Sequence, residues 1–199
     1  MRTILLILIA LSFNVYGQTA SDYYRSGDVK YASGDYRGAI ADYTKAIELN
    51  PKDAEAYYNR GVFKHRIEDY QGAVADYNKS IELNPKDADA YNNRGVSKEK
   101  LEDYQGAVAD YNKAIELNPN YADAYYNRGV SKGKFGDYHG AIADYNKSIE
   151  LNPNYAEAYN NRGITKLRLG EKDGGCLDLS KAGELGQEKA YDAIKKFCQ

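Results

Sequence analysis

An all-α solenoid of stacked, antiparallel helix pairs is the fold this sequence predicts, and three observations carry it. The stretch ADYNKSIELNP stands at 75–85 and again, unchanged, at 143–153. Near-copies at 41–51 and 109–119 complete a series closed by Pro51, Pro85, Pro119 and Pro153, each 34 residues after the last and together the only prolines of the chain. Within each period, small and apolar residues recur at helical spacing. A fixed period of this length marks an architecture in which each unit completes the buried stripe of its neighbour.

The first residues stand outside the repeat. MRTILLILIALSFNVYG begins with Arg2, runs apolar from Ile4 to Leu11, and places Val15 and Gly17 just ahead of Gln18. The apolar run falls short of the roughly 20 residues that span a bilayer, so 1–17 reads as a cleavable export signal rather than an uncleaved anchor. No cysteine lies near the cut to take a lipid. The expectation is an exported protein, periplasmic or secreted, with no stable membrane insertion once the signal is removed. The chain carries 27 basic against 29 acidic residues, well mixed, and the signal holds one of the basic ones, Arg2. Such a balance lacks the basic footprint of a nucleic-acid binder and the polybasic patch of an anionic-membrane binder.

One unit, Ala54 to Pro85, shows how the repeat folds. It divides at Glu68-Asp69 into two helical patterns. In the second, Ala73, Tyr77, Ser80 and Ile81 form one buried stripe. Asp69 is placed to cap that helix, and Asp35, Asp103 and Asp137 repeat the cap. Asn84-Pro85 ends it, because proline drives the preceding residue out of the α region. Connections this short force the two helices antiparallel. Three rows of small residues mark where helices cross. They are Gly27, Gly61, Gly95, Gly129 and Gly163; Ala39, Ala73, Ala107 and Ala141; and Ala46, Ser80, Ala114, Ser148 and Ala182. A helical glycine costs about 0.5–1 kcal/mol relative to alanine, so five at one register call for a steric reason. The simplest is close backbone approach, with Tyr57, Tyr91, Tyr125 and Tyr159 on the first helix and Tyr77, Tyr111 and Tyr145 on the second filling the flanks.

This pattern resembles the tetratricopeptide repeat family. The resemblance rests on the glycine row, the two small rows, the tyrosines, the Gly34-Asp35-Tyr36 and Gly136-Asp137-Tyr138 turns and the four prolines, and it covers about residues 20–187. It implies a right-handed superhelix with units at 20–53, 54–87, 88–121 and 122–155, a divergent fifth at 156–187, and a capping helix over 188–199. In that cap Ala190, Tyr191, Ile194, Phe197 and Cys198 share an apolar face, while Lys189, Asp192, Lys195 and Lys196 point elsewhere. The chain departs from the family at Arg60, Arg94, Arg128 and Arg162, where leucine is usual, and at Lys64, Lys98 and Lys132, where an aromatic is usual. Glu68 and Glu102 replace a turn glycine.

Cys176 takes the register of Ile40, Val74, Val108 and Ile142, which in this repeat geometry faces the next helix along. Matching Ala190-Tyr191 to Ala158-Tyr159 puts Cys198 near the same end. In an oxidising compartment this predicts a Cys176–Cys198 disulfide; the alternative is two buried free thiols.

No constellation suggests catalysis. His65 and His139 fall at different registers, which argues against a metal site, and there is no phosphate-cradling loop or nucleophile elbow. No cofactor is implied. Asp42, Asp76, Asp110, Asp144 and Asp178 recur once per unit, which suits packing against the arginine row better than one active site. The sequons at Asn78 and Asn146 belong to the repeat as well. In the family the first helix of each unit lines a concave face that holds an extended peptide or partner helix. Carried onto this chain, the inner row is Tyr24, Tyr58, Asn92, Tyr126 and Asn160. Val62, Val96, Val130 and Ile164 lie one turn on, with Asn59, Asn93, Asn127 and Asn161 beside them. Glu55, Asp89, Asp123 and Glu157 edge one rim, and Arg66, Lys100, Lys134 and Arg168 the other. The family's carboxylate clamp would need cations where this chain has Tyr58, Val62, Asn92 and Val96, so that activity is not carried over. The expected function is a monomeric, non-catalytic scaffold for a protein or peptide partner; the alternatives are a structural or self-assembling envelope component, and tyrosines that only pack.

Overall fold

A computed structural model describes residues 18–198; the export signal expected at 1–17 and Gln199 lie outside the described residues. Among the described residues there are eleven helices and no strand. They pair as hairpins: α1 (Ala20–Ala32) with α2 (Tyr36–Leu49), α3 (Ala54–Arg66) with α4 (Tyr70–Leu83), and α5 (Ala88–Lys100) with α6 (Tyr104–Leu117). Two more follow, α7 (Ala122–Lys134) with α8 (Tyr138–Leu151) and α9 (Ala156–Arg168) with α10 (Lys172–Glu184), before a single closing helix, α11 (Lys189–Phe197). Each second helix also packs on the first helix of the following hairpin, so contacts pass from neighbour to neighbour along an α-solenoid.

Local chemistry sets the helix ends. Asp35, Asp69, Asp103 and Asp137 each accept a hydrogen bond from the backbone N–H of the glycine three residues on, at 2.9 Å. The same helices end at Asn50, Asn84, Asn118 and Asn152, whose backbone turns extended ahead of proline. Asp53 and Asp87 cap α3 and α5. Where the linker changes from Pro-Lys-Asp to Pro-Asn-Tyr, α7 and α9 begin without a side-chain cap. Glu171 likewise makes no cap bond for α10.

The glycine row works differently from the simplest expectation. A Cβ on Gly61 would stand 2.9 Å from the Tyr77 ring, and on Gly95 2.6 Å from the Tyr111 ring. Tyr43 and Tyr145 cover Gly27 and Gly129 in the same way. The tyrosine ring therefore lies on the glycine itself and does not merely fill a flank. The facing backbone also comes near, with Ala141 O 3.2 Å from a Cβ on Gly129, and it comes nearest in the fifth unit, where Leu179 replaces tyrosine and Gly175 replaces alanine: a Cβ on Gly163 would meet Gly175 O at 2.9 Å.

The closing helix also differs from expectation. Ala190 is buried, but Tyr191 and Phe197, read as part of its inner face, are 57% and 45% exposed. A lone helix has no second helix to cover its far flank. Tyr191 still touches the stack, since a Cβ on Gly183 would lie 2.9 Å from its ring. Cys176 on α10 is bonded to Cys198 just past α11, with Cα atoms 5.8 Å apart.

Glu68 and Glu102 occupy the turn between first and second helix at φ 64° and 63°, where Gly34, Gly136 and Gly170 hold the equivalent places at φ 82°, 95° and 82°. A side chain there is strained, so Glu68→Gly and Glu102→Gly should each raise stability by about 1 kcal/mol in thermal melts, whereas alanine at either position should bring no such gain. Reduction of Cys176–Cys198 should lower stability by about 3 kcal/mol, and the unreduced protein should show no alkylatable thiol by mass spectrometry.

Candidate functional site

The rows of charge on facing helices meet inside each hairpin. Arg60 on α3 makes a bidentate pair with Asp76 on α4, Nε–Oδ2 2.8 Å and Nη2–Oδ1 2.6 Å, and Lys64 Nζ reaches Oδ2 at 2.8 Å. Arg94 and Lys98 hold Asp110, Arg128 and Lys132 hold Asp144, and Arg162 and Lys166 hold Asp178 in the same way. These aspartates are nearly buried. The remaining guanidinium nitrogen crosses to the previous unit: Arg94 donates to Asn78 at 2.8 Å, Arg128 to Asn112 at 2.7 Å and Arg162 to Asn146 at 2.7 Å. Each guanidinium also lies over the tyrosine three residues before it, Arg162 at 5.2 Å from the Tyr159 centroid. The arginines and lysines that depart from the family thus form one ladder, which uses the aspartate row and the sequon asparagines. In the first unit Ser26 stands where arginine would, and Asp42 accepts from Ser26 Oγ and Lys30 Nζ, each at 2.6 Å.

The inner row and the asparagine row are joined across unit boundaries. Asn59 Nδ2 donates to Tyr24 Oη at 2.6 Å, Asn93 to Tyr58 Oη at 2.8 Å, Asn127 to Asn92 Oδ1 at 3.1 Å and Asn161 to Tyr126 Oη at 3.0 Å. Asn160 turns to its neighbour Asn161 at 3.3 Å. Asn92 is buried, and Tyr24, Tyr58, Tyr126 and Asn160 are half-buried. Burial pushes the Tyr58 and Tyr126 hydroxyls up to about 12. These polar groups therefore register one unit against the next.

What stays open lies one turn further on. Val62, Val96, His65, Arg66, Tyr77 and Asn93 line a socket of about 270 Å³ between α3 and α5. Val130, Gly133, Lys134, Asn161, Ile164 and Arg168 are among the residues around a second, of about 160 Å³, between α7 and α9. A third, of about 430 Å³, is lined by Ile164, Leu167, Arg168, Gly170, Lys172 and Phe197. Between the first two, the matching place holds Glu99, whose Oε2 accepts from Ser131 Oγ at 3.0 Å. His65 meets Ser97 Oγ at 2.8 Å. Burial raises the Glu99 carboxyl and lowers the His65 imidazole from their ordinary values. Neither Glu99 nor a packing role for His65 is among the expectations from sequence. The available signal was that this register differs from unit to unit.

Both rims are exposed. On the acidic side Asp89 accepts from Tyr121 Oη at 2.6 Å, and Tyr155 takes the equivalent place near Asp123. On the basic side Arg66, Lys100, Lys134 and Arg168 are exposed, and none has an ion-pair partner among the described residues. Among the described residues no group of three or more His, Cys, Asp or Glu could hold a metal ion, and no helix is long and apolar enough to cross a membrane.

Removing one member of a ladder pair leaves a buried charge unpartnered. Asp110→Ala should destabilise the protein by about 3–5 kcal/mol in urea titrations, while neutralising the exposed Glu116 should change it by less than about 1 kcal/mol.

Comparison with known proteins places this geometry. No curated protein sequence matches the chain. The crystal structure of MamA is 31% identical, covering 83% of this chain and 96% of that one at a TM-score of 0.77. YrrB, described as a TPR protein with an unusual peptide-binding site, is 26% identical over 88% of this chain and 92% of its own, at 0.74. MamA of Desulfovibrio magneticus RS-1 shares the fold at a TM-score of 0.80 and 22% identity, covering 85% of this chain and 96% of its own. A TPR repeat model matches residues 27–67, 64–102 and 134–170, and two tetratricopeptide repeat models match 88–121 and 110–143. Hairpins of a 34-residue period that set tyrosine on glycine in the first four units, matched by those models without a gap from 27 to 170, make the chain a member of the tetratricopeptide repeat family.

Proposed function

We propose that this protein is a non-catalytic scaffold for protein–protein interaction, exported and monomeric, which holds an extended peptide or a partner helix along its concave groove. The observation that carries the reading is the basic rim beside open sockets. The groove asparagines are engaged within the fold, as is Asp89 of the acidic rim, whereas four cations, one per unit from the second to the fifth, stand exposed and without an ion pair among the described residues beside sockets lined by Val62, Val96, Val130 and Ile164. Such a surface favours a partner with acidic side chains along the edge that faces those cations. The predicted peptide-binding residues Tyr24, Tyr58, Asn92, Tyr126 and Asn160 then act as the wall that shapes the groove. YrrB's description as peptide-binding supports the same reading. Export is supported by the apolar leader at 1–17 and by the Cys176–Cys198 bond.

A second reading, self-assembly, is favoured by one feature: Leu177, Tyr191 and Phe197 expose apolar surface at the C-terminal end. Light scattering separates the two, since a constant monomer mass across concentration disposes of assembly.

The decisive variant replaces Arg66, Lys100, Lys134 and Arg168 together by glutamate. All four are exposed, so helicity should be unchanged. Capture of partner protein from envelope extract or culture fluid should fall at least about tenfold, and capture by the parent should weaken as salt rises. Equal recovery by variant and parent would rule the basic edge out.

A further inference from the structure

Within each first helix most registers repeat almost without change. One does not. Counting from the glycine row, the residue four places on is Tyr31, His65, Glu99, Gly133 and Leu167, a different side chain in every unit. These residues sit where one unit meets the next. Tyr31 stacks on Phe63 at 4.7 Å, His65 meets Ser97, and Glu99 meets Ser131. Gly133 leaves its socket open, and Leu167 shares a cleft with Phe197. Uniform packing would be served by one residue used repeatedly. A register that differs in every unit, at or between the sockets described above, is where discrimination between ligands can reside.

Two of the five positions have a definite chemistry. Glu99 is half-buried, accepts a hydrogen bond from the neutral Ser131 hydroxyl, and has no ion pair among the described residues. Lys100 and Lys134 are the cations near it, and neither forms an ion pair with it. A half-buried carboxylate without a cation is an incomplete pair. The Leu167–Phe197 cleft, about 430 Å³, is within the range of ligand pockets, and its floor is apolar. Phe197 remains 45% exposed beside it.

We propose that Glu99 and the Leu167–Phe197 cleft read two side chains of one extended peptide: a lysine or arginine that pairs with Glu99, and an apolar residue that enters the cleft. The assignment rests on the groove reading above and gives it a ligand class. Successive first helices stand about 10 Å apart and an extended chain rises about 3.3 Å per residue, so each unit spans about three ligand residues. Glu99 and Leu167 lie two units apart, which sets the basic and apolar residues about six positions from each other.

The test is a random peptide display library panned on the whole protein, followed by binding measurements on synthetic copies of the selected peptides. Selected peptides should share a Lys or Arg about six residues from an apolar side chain, and alanine at either position should weaken binding about tenfold. The transposed variant, Glu99→Gly with Gly133→Glu, should shorten that spacing to about three residues. Gly133 has room for the change, because a Cβ there would meet nothing nearer than Ala141 Cβ at 3.9 Å. Glu99→Gln, which keeps the side-chain shape, should lose the basic preference alone, and Phe197→Ala the apolar preference alone. Peptides that bind in the groove with the same preferences for parent, transposed and glutamine variants would overturn this inference and leave the groove reading intact. A library that yields no groove-binding peptide would overturn both.

Discussion

The contact that everything else in the stack depends on is a tyrosine ring packed directly on a helical glycine. Gly61 under Tyr77 and Gly95 under Tyr111 leave no space for even a methyl group. Glycine at that register weakens the isolated helix, and the large buried ring offsets the loss by filling the space that a side chain would have occupied. The contact fixes how close the two helices of a hairpin lie and how they are registered. Arg60 and Asp76 come level only because that distance is held. The fifth unit shows the constraint from the other side: once leucine replaces the ring, Gly175 is needed so that backbone can approach Gly163 directly.

Given that distance, the polar groups divide into two sets. Inside each hairpin, the arginine, lysine and aspartate rows close on one another, and the spare guanidinium nitrogen ties the unit to its predecessor through Asn78, Asn112 or Asn146. Buried ion pairs of this kind are weak stabilisers compared with apolar packing, yet each pair tolerates only one alignment of the two helices. On the first helices, Asn59, Asn93, Asn127 and Asn161 serve the same purpose between units. The groups left over include the basic rim, the valine row and the varied sockets.

The ends of the stack follow from what a repeat cannot supply to itself. The first unit has Ser26 where its successors have arginine, and no preceding unit among the described residues offers an asparagine to bond. At the other end α11 covers Leu179 and Ala182 with Ala190 and Ile194, but nine residues without a partner helix cannot hide Tyr191 and Phe197. The disulfide holds that short helix against α10.

The sequence by itself determined the architecture. Helix boundaries were legible from Asp35, Asp69, Asp103 and Asp137 before each second helix and from the prolines after it, because capping and the proline restriction act over three or four residues. The Arg–Asp pairing was legible too, since a row that recurs in every unit must meet another row that does. Which residues would be open to a ligand was decided only by the tertiary structure. Asn59 and Asn93 look like free hydrogen-bonding groups until the preceding unit brings Tyr24 and Tyr58 to them. Asp89 looks like a rim charge until Tyr121 reaches it, and Glu99 looks like a surface carboxylate until Ser131 closes over it. Each of these partners lies 32 to 35 residues away, which is the spacing that a solenoid turns into contact and that no local rule can see.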